Sequence, residues 1–269
     1  MKLQTIVDIK PSSWQIGYED KILLTGSCFA DSIGQIMTQR GLAVTCNPFG
    51  TLYNPLSIAK AMQMKEVPQL IERDGLWHSM AHHGSFSRST KEETKAAVET
   101  SINIMQQTLS EASVIIVTFG TAWVYEMHGE VVGNCHKMPE EMFTRRRLSA
   151  DEIVQTWSPI IAQYPGKHWL FTVSPIRHIR DGLHENQLSK ATLLEAVEKL
   201  AVSYFPSYEI LLDELRDYRF YADDLVHPSP LAVNYIWERF IEAYCSPQTR
   251  NEMNIRLKKW KFEQHIPLH

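Results

Sequence analysis

A serine and a cysteine, Ser27 and Cys28, stand side by side where the apolar run 22–25 ends and a helical pattern begins. In open parallel sheets, ligands gather at the carboxyl ends of the strands, and Cys28 comes directly after the first predicted strand. At the first turn of a helix, unpaired N–H groups and the helix dipole favour negative charge, so we expect a lowered pKa at Cys28. Ser27 would need a base to activate it. Taken alone, the same residues also fit a tight turn with a small buried cysteine.

A carboxylate and an imidazole three residues apart supply the other half of a nucleophile–base–acid arrangement. Asp224 and His227 follow the last predicted strand and directly precede a helix start at Ser229. In such a turn the carboxylate can orient the ring and stabilise its charged form. Asp223 is the alternative acid, but only Asp224 has the three-residue spacing. A nucleophile after the first strand combined with this pair after the last strand indicates a nucleophile–His–acid arrangement for covalent catalysis.

The elements that must position these residues alternate along the chain. The predicted strands are 22–25, 42–46, 114–119, 168–173 and 208–212, and the predicted helices are 29–39, 91–109, 149–164, 187–202 and one that begins at Ser229. Strands interleaved with helices indicate a parallel sheet that is covered on both faces. We therefore predict one α/β domain over 1–269, a three-layer sandwich with a mostly parallel five-stranded sheet and loop insertions.

Two segments interrupt this alternation. Segment 71–90 is polar and rich in histidine, and segment 122–147 reads as a hairpin followed by a loop. Long loops in compact α/β domains often form lids or binding surfaces, so we expect both insert loops near the site, with surface decoration as the alternative. The basic segment 247–269 is predicted to be a C-terminal extension, a helix that is solvated or packs on the body, with a partner-binding tail as the alternative.

Composition excludes several classes of function. A net charge of −4 argues against nucleic-acid binding, which needs a basic surface. The N-terminal residues lack the apolar core of a signal peptide, and no apolar run is long enough for a membrane span, so we expect a cytoplasmic protein without membrane contact. The four cysteines are far apart in the sequence and have no Cys-x-x-Cys spacing, which predicts reduced thiols.

The motif at 26–30, "GSCFA", resembles the signature of the GSCFA-domain family, which is similar to the SGNH (GDSL-like) hydrolases. Further stretches that carry the resemblance are "NPFGTLYNP", "TFGTAWVYE", "GNCHKMP", "SPIRHIRDG", "LSKATL" and "YADDLVHPSP". The resemblance implies an SGNH/flavodoxin-like fold and a hydrolase site. It places Cys28 at the nucleophile, or Ser27 if the turn is shifted by one residue, and it places Asp224 and His227 at the acid and base.

The resemblance also implies an oxyanion hole. Gly50 matches the glycine that follows the second strand in SGNH enzymes and donates its backbone N–H. The third block, Gly-x-Asn-Asp, has an asparagine whose amide normally completes the hole, and it reads Gly-Thr-Ala-Trp here, so the asparagine is missing. Thr121 in this block is a candidate for oxyanion or substrate binding. Asn134 or His136 in "GNCHKMP" is a hypothetical replacement donor. The missing asparagine departs from the pattern of ordinary esterases.

Other polar residues suggest substrate binding or metal binding. Arg177 and His178 follow the fourth predicted strand and are candidates for binding a substrate carboxylate or phosphate, with an internal salt bridge to Asp181 as the alternative. His78 and His82 would suit zinc only on a helix, and the glycines and serines around them argue against one. We expect no metal and no cofactor.

Three functions are compatible with the sequence. The first is a hydrolase, esterase-like or thioesterase-like, or an acyltransferase that acts on a small-molecule ester or thioester. The second is a non-catalytic module that keeps the fold and binds a small molecule or an acyl group. The third is a thiol-based redox protein, which the absence of a second cysteine close to Cys28 in the sequence disfavours. The sequence does not indicate an oligomeric state.

Overall fold

A computed structural model describes residues 4–264. Its centre is a five-stranded, all-parallel sheet with the strand order β10-β9-β5-β1-β2. The strands of this sheet are β1 (Lys21–Gly26), β2 (Ala43–Cys46), β5 (Val114–Phe119), β9 (His168–Val173) and β10 (Ser203–Phe205). This is the doubly wound order in which the direction of winding reverses next to β1.

Helices cover both faces of the sheet, as the sequence predicted. They are α1 (Cys28–Gln39), α2 (Pro55–Gln63), α3 (Lys91–Glu111), α4 (Ala150–Ala162), α5 (Leu183–Leu200), α6 (Ser207–Glu209), α7 (Pro230–Tyr244) and α8 (Pro247–Glu263). The three-layer α/β prediction is therefore confirmed. None of the helices within residues 4–264 is long and apolar enough to cross a bilayer.

Burial on both faces explains why the strands are apolar runs. All six residues of β5 are buried. Ile115 and Val117 point into the core cluster that contains Trp157, whereas Val114 and Ile116 point into the cluster that contains Trp237. Because successive side chains in a strand face opposite sides, a strand with two covered faces reads as a continuous apolar run.

One predicted strand is wrong. Residues 208–212 form helix, since α6 continues directly into a π-helical turn at Ile210–Leu215. The buried side chains in this region include Tyr208, Leu211 and Leu215, and their spacing of three and four residues is helical. The fifth strand is instead β10, which has only three residues and therefore little periodicity to detect.

The two inserts have more regular structure than the sequence indicated. Segment 71–90 contains most of an antiparallel hairpin, β3 (Leu70–Arg73) and β4 (Leu76–Ser79). In segment 122–147 the strands β6 (Trp123–Met127), β7 (Glu130–Val132) and β8 (Thr144–Arg147) form a small antiparallel sheet.

The C-terminal extension is the helix α8, and residues 265–269 of the predicted extension lie outside the described residues. Met253 is buried, and the Arg256 guanidinium stacks 3.8 Å from the ring centroid of Tyr18. The side of α8 that carries these residues packs on the body. This supports the prediction of a body-packed helix for this segment.

The turn between β1 and α1 lies very close to β5. Gly26 has a φ of +134°, and a Cβ built on it would lie 2.1 Å from the Thr118 carbonyl oxygen. The following residue, Ser27, donates its N–H to the same oxygen at 3.2 Å. Only glycine fits this approach, because it needs no space for a side chain and adopts positive φ without strain.

Replacing this glycine should destabilise the fold strongly. We expect Gly26→Ala to lower the free energy of unfolding by more than about 3 kcal/mol, because it combines an unfavourable φ with a backbone overlap. Urea denaturation followed by far-UV circular dichroism measures the change.

Gly129→Ala is the matched control for this substitution. Gly129 also has positive φ (+81°), but nothing lies within 4 Å of a Cβ built on it. Backbone strain alone should cost about 1 kcal/mol there. Equal losses of unfolding free energy in the two variants would show that the overlap with β5 adds nothing to the cost of the substitution at Gly26.

Candidate active site

A cavity of about 770 Å³ opens at the carboxyl ends of the parallel strands. Cys28, Asp224 and His227 line it together, although they come from opposite ends of the chain. Its other lining residues come from the loop before α2, from the 122–147 insert and from the segment after β9; they include Tyr53, Asn54, Thr121, Trp123, Tyr125, Asn134, Cys135, Ile176, Arg177, His178 and Asp181. The volume is typical of a small-molecule site.

Cys28 is the first residue of α1 and is partly buried. The expected lowering of its pKa is wrong: burial raises the pKa of the Cys28 thiol, and the nearby Asp31 carboxylate raises it further. The backbone N–H groups of Cys28 and Phe29 favour the thiolate, as expected at a helix N-terminus, but burial outweighs them. The resting side chain is therefore mostly a neutral thiol near pH 7.

Ser27 is not placed to act as the alternative nucleophile. Its side chain is 0% exposed, and it is absent from the cavity lining. Its hydroxyl has no hydrogen-bond partner among residues 4–264 and makes no capping bond to α1. A hydroxyl enclosed in this way cannot reach an acyl carbon in the cavity. The alternative in which Ser27 is the nucleophile is therefore corrected in favour of Cys28.

The predicted acid–imidazole pair is formed. His227 Nδ1 lies 2.6 Å from Asp224 Oδ2, and Asp224 Oδ1 accepts the N–H groups of Val226 and His227 at 2.9 Å and 3.0 Å. These hydrogen bonds hold the pKa of Asp224 down at about 2, so it stays ionised across the neutral range. Both side chains are about half exposed, 48% for His227 and 49% for Asp224.

Gly50 and His136 are not available as oxyanion donors. The Gly50 N–H donates to the Asn47 carbonyl at 2.7 Å, and this glycine packs against His83 rather than lining the cavity. His136 Nε2 is hydrogen-bonded to the Ser79 carbonyl at 2.9 Å, and its ring contacts His78. The sequence motifs placed both residues correctly in loops near the sheet edge. They could not show the hydrogen bonds that occupy the Gly50 N–H and the His136 Nε2.

Thr121 and Asn134 do line the cavity. The Thr121 hydroxyl lies 3.1 Å from the Ser189 hydroxyl and accepts the Trp123 N–H at 3.1 Å, so it supports the turn after β5. Asn134 Oδ1 accepts the His136 N–H at 2.8 Å. Within residues 4–264 the Asn134 Nδ2 has no hydrogen-bonded acceptor, and Asn134 therefore keeps an unused donor next to the cavity.

Arg177 and His178 also line the cavity, but Arg177 has a structural partner. Its N–H donates to the Val226 carbonyl and its guanidinium to the Leu225 carbonyl, both at 3.0 Å. The predicted salt bridge between Arg177 and Asp181 is replaced by a contact between Asp181 and Arg145.

Burial lowers the pKa of His178 to about 3, so its ring is neutral. The His178 Nε2 atom is buried and has no partner among the described residues. The ring lies edge-on to Tyr53, with the ring centroids 5.9 Å apart.

Sequence reasoning missed Tyr53 and Asn47, which shape the site. Tyr53 lines the cavity, and its hydroxyl favours the charged form of the Cys28 thiol. The Asn47 amide oxygen accepts the Gly26 N–H at 2.8 Å, and its amide nitrogen donates to Asp31 at 2.6 Å. The "NPFGTLYNP" stretch contains both Asn47 and Tyr53, but its letters alone do not show which side chains face Cys28.

The two inserts contribute differently. Segment 122–147 forms a wall of the cavity, where the Arg145 guanidinium stacks 3.9 Å from the ring centroid of Trp123. Segment 71–90 supplies none of the described cavity-lining residues. It supports that wall from behind, since the Met80 carbonyl accepts the N–H of Gly133 at 2.7 Å.

The histidines of segment 71–90 serve local structure. His82 is buried and bridges the hydroxyls of Ser79 and Ser101 at 2.7 Å and 2.9 Å. His78 lies on β4, not on a helix, and bonds the Ser87 hydroxyl at 2.7 Å. No group of three or more histidine, cysteine or acidic side chains within residues 4–264 is arranged to hold a metal ion.

The strand order and a cavity at the carboxyl edge define a doubly wound α/β protein. Within that class the chain belongs to the GSCFA family, whose model matches residues 21–240. No curated protein matches the chain. Among solved structures, the chain is similar to the crystal structure of a protein from Bacteroides fragilis that is described as a candidate acylhydrolase. The two sequences are 9% identical and the TM-score is 0.43. The match covers 93% of this chain and 91% of the other. A likeness this distant carries no functional inference.

The raised pKa of Cys28 has a direct chemical test. We expect the rate at which iodoacetamide alkylates Cys28 to keep rising with pH beyond pH 9, about tenfold for each unit below the pKa, because only the thiolate reacts. Tyr53→Phe should raise the pKa further and slow alkylation at a given pH. Peptide mass mapping separates Cys28 from Cys135 and Cys245, whose pKa values burial raises to about 11 and about 12. A rate that is already constant at neutral pH would contradict the neutral thiol.

Proposed function

We propose that the protein is a hydrolase or acyltransferase that acts on a small-molecule ester or thioester. Cys28 is the nucleophile, His227 the general base and Asp224 the residue that orients His227. One observation carries the proposal: a thiol on the first turn of α1 and an imidazole bonded to a carboxylate line the same cavity. An SGNH-like enzyme would need the same three groups at this sheet edge.

The tautomer of His227 follows from its bond to Asp224. With Nδ1–H donating to the carboxylate, Nε2 carries the lone pair and can accept a proton. Because burial keeps the Cys28 thiol neutral, the base must remove the thiol proton during the attack. The site therefore resembles a serine hydrolase in its proton transfer more than an enzyme with a preformed thiolate–imidazolium pair.

The reaction then runs in two halves. The sulfur of Cys28 forms a bond to the acyl carbon, the carbonyl electron pair moves onto oxygen, and the thiol proton passes to His227 Nε2. Collapse of this intermediate breaks the bond to the alcohol or thiol, which leaves with the proton from His227. Water or another acceptor, deprotonated by His227, then attacks the acyl carbon. The carbon–sulfur bond breaks, and the Cys28 sulfur takes the proton back from His227.

Backbone and amide donors near Cys28 would stabilise the oxyanion. The Cys28 N–H lies at the helix N-terminus, where it has no intrahelical acceptor. Tyr53 takes the place proposed for Gly50, since it lines the cavity and its N–H has no acceptor among residues 4–264. The Asn134 amide is the third donor and replaces the missing asparagine of the SGNH pattern.

Hydrolysis of p-nitrophenyl acetate and of short acyl-CoA esters tests the proposal. We expect Cys28→Ala and His227→Ala to lower turnover by about 10³-fold or more, because each removes a group that takes part in bond formation or proton transfer. Ser27→Ala should retain activity, since its hydroxyl is enclosed and unbonded.

Intact-mass analysis after incubation with the acyl donor complements the assay. An acyl adduct on the wild type that is absent from Cys28→Ala supports covalent catalysis. A wild type that neither turns over nor becomes acylated by these donors would contradict the proposal and favour an acyl-binding module. Activity lost only in Ser27→Ala would move the nucleophile to Ser27.

Asp224→Asn and Asp223→Asn form a matched pair for the acid. Both remove one charge from the same exposed turn, but only Asp224 is bonded to His227. We expect Asp224→Asn to lower kcat by about 10² to 10⁴ with little change in KM, because the neutral amide no longer stabilises the imidazolium. Asp223→Asn should behave as the wild type. Equal effects of the two substitutions would show that charge in the turn, and not orientation of His227, matters.

A further inference from the structure

Lys190 on α5 is buried beneath the floor of the cavity, with 1% of its surface exposed. Its ammonium donates to the carbonyl oxygens of Gly120 and Ser174, each at 2.7 Å. These two residues directly follow β5 and β9, so the charge lies at the carboxyl edge of the sheet, where Cys28 also lies.

The surroundings of Lys190 contain no resting negative charge. Within residues 4–264 no carboxylate lies within salt-bridge distance of its ammonium. A Cβ built on Gly120 would lie 3.4 Å from the Cβ of Ser27, so the residue before Cys28 packs against the residue whose carbonyl accepts from the ammonium. The ring centroid of Tyr208 on α6 lies 5.6 Å from Nζ. The ionisable side chains that interact with the charge of Lys190 are Cys28 on α1 and His178 after β9. The groups nearest to Cys28 on its other sides are Asp31 and Tyr53.

An isolated buried ammonium is costly, and two carbonyl dipoles compensate it only in part. Burial accordingly lowers the pKa of Lys190 to about 7, and a charged Cys28 raises it again. Lys190 also helps to keep the ring of His178 neutral. Among the residues that the structure describes, Cys28 is the group near the ammonium that can readily become negatively charged during the proposed reaction.

We propose that Lys190 is the positioning residue whose positive charge stabilises the anionic states of this site, namely the thiolate of Cys28 and the oxyanion formed when its sulfur attacks an acyl carbon. It also fixes the ends of β5 and β9 through its two hydrogen bonds. The oxyanion part rests on the proposed function, whereas the thiolate part does not require turnover. The charge acts at a distance through the low-dielectric floor and needs no direct contact with substrate.

Lys190→Gln separates charge from hydrogen bonding, because the amide can still donate to the carbonyls of Gly120 and Ser174. We expect this variant to raise the pKa of the Cys28 thiol by about one unit or more and to slow its alkylation about tenfold at pH 6, where the Lys190 ammonium is charged. Lys199→Gln, which removes a charge from the exposed side of the same helix, should leave the alkylation profile unchanged. A folded Lys190→Gln variant with the wild-type profile would overturn the proposal and leave Lys190 as a structural tie.

A reciprocal measurement keeps Lys190 in place and so does not depend on the stability of its variants. We compare Cys28→Asp with Cys28→Asn in protein that carries ¹³C-labelled lysine, and follow by NMR the lysine signal that titrates well below the others. A fixed negative charge at position 28 should raise that midpoint by about one unit or more relative to the amide. Equal midpoints in the two proteins would overturn the proposal. Neither measurement uses an acyl substrate, so an inactive wild type would overturn the proposed function alone.

Discussion

The turn from β1 into α1 determines where the thiol of Cys28 lies, and the rest of the site is arranged around it. On one side Gly26 approaches β5 so closely that the Thr118 carbonyl leaves no room for a side chain. On the other side Asn47 accepts the Gly26 N–H and donates to Asp31 on α1. Because hydrogen bonds and close packing hold both flanks of the turn, the first helical residue is fixed at the carboxyl edge of the sheet, next to the ends of three other strands.

Burial acts on the ionisable groups of this edge in one direction, toward their neutral forms. It raises the pKa values of Cys28 and Tyr53 and lowers that of His178. Asp224 is the exception, because hydrogen bonds from its own turn stabilise the carboxylate while water reaches it. The site thus combines a mostly neutral interior around Cys28 with the ionised carboxylate of Asp224 at the rim.

The alternation of apolar runs and helices predicted most of the sheet, because strands covered on both faces are continuous apolar segments. The strands Val114–Phe119 and His168–Val173 match their predicted limits. The same signal failed for β10, whose three residues are too short to show a pattern, and for 208–212, where helical burial also produces an apolar run. At the site, spacing alone located the Asp224–His227 pair, since the two residues are neighbours in sequence. It could not locate Lys190 or assign the Gly50 amide, because both depend on contacts with distant segments.

Arg177 joins the segment after β9 to the loop that carries His227. Its N–H and its guanidinium bind the carbonyls of Val226 and Leu225, immediately before His227. The same segment contributes Ile176 and His178 to the cavity wall. Two hydrogen bonds thus tie this wall of the cavity to the turn of Asp224 and His227, so that the wall and the imidazole are held together as one unit.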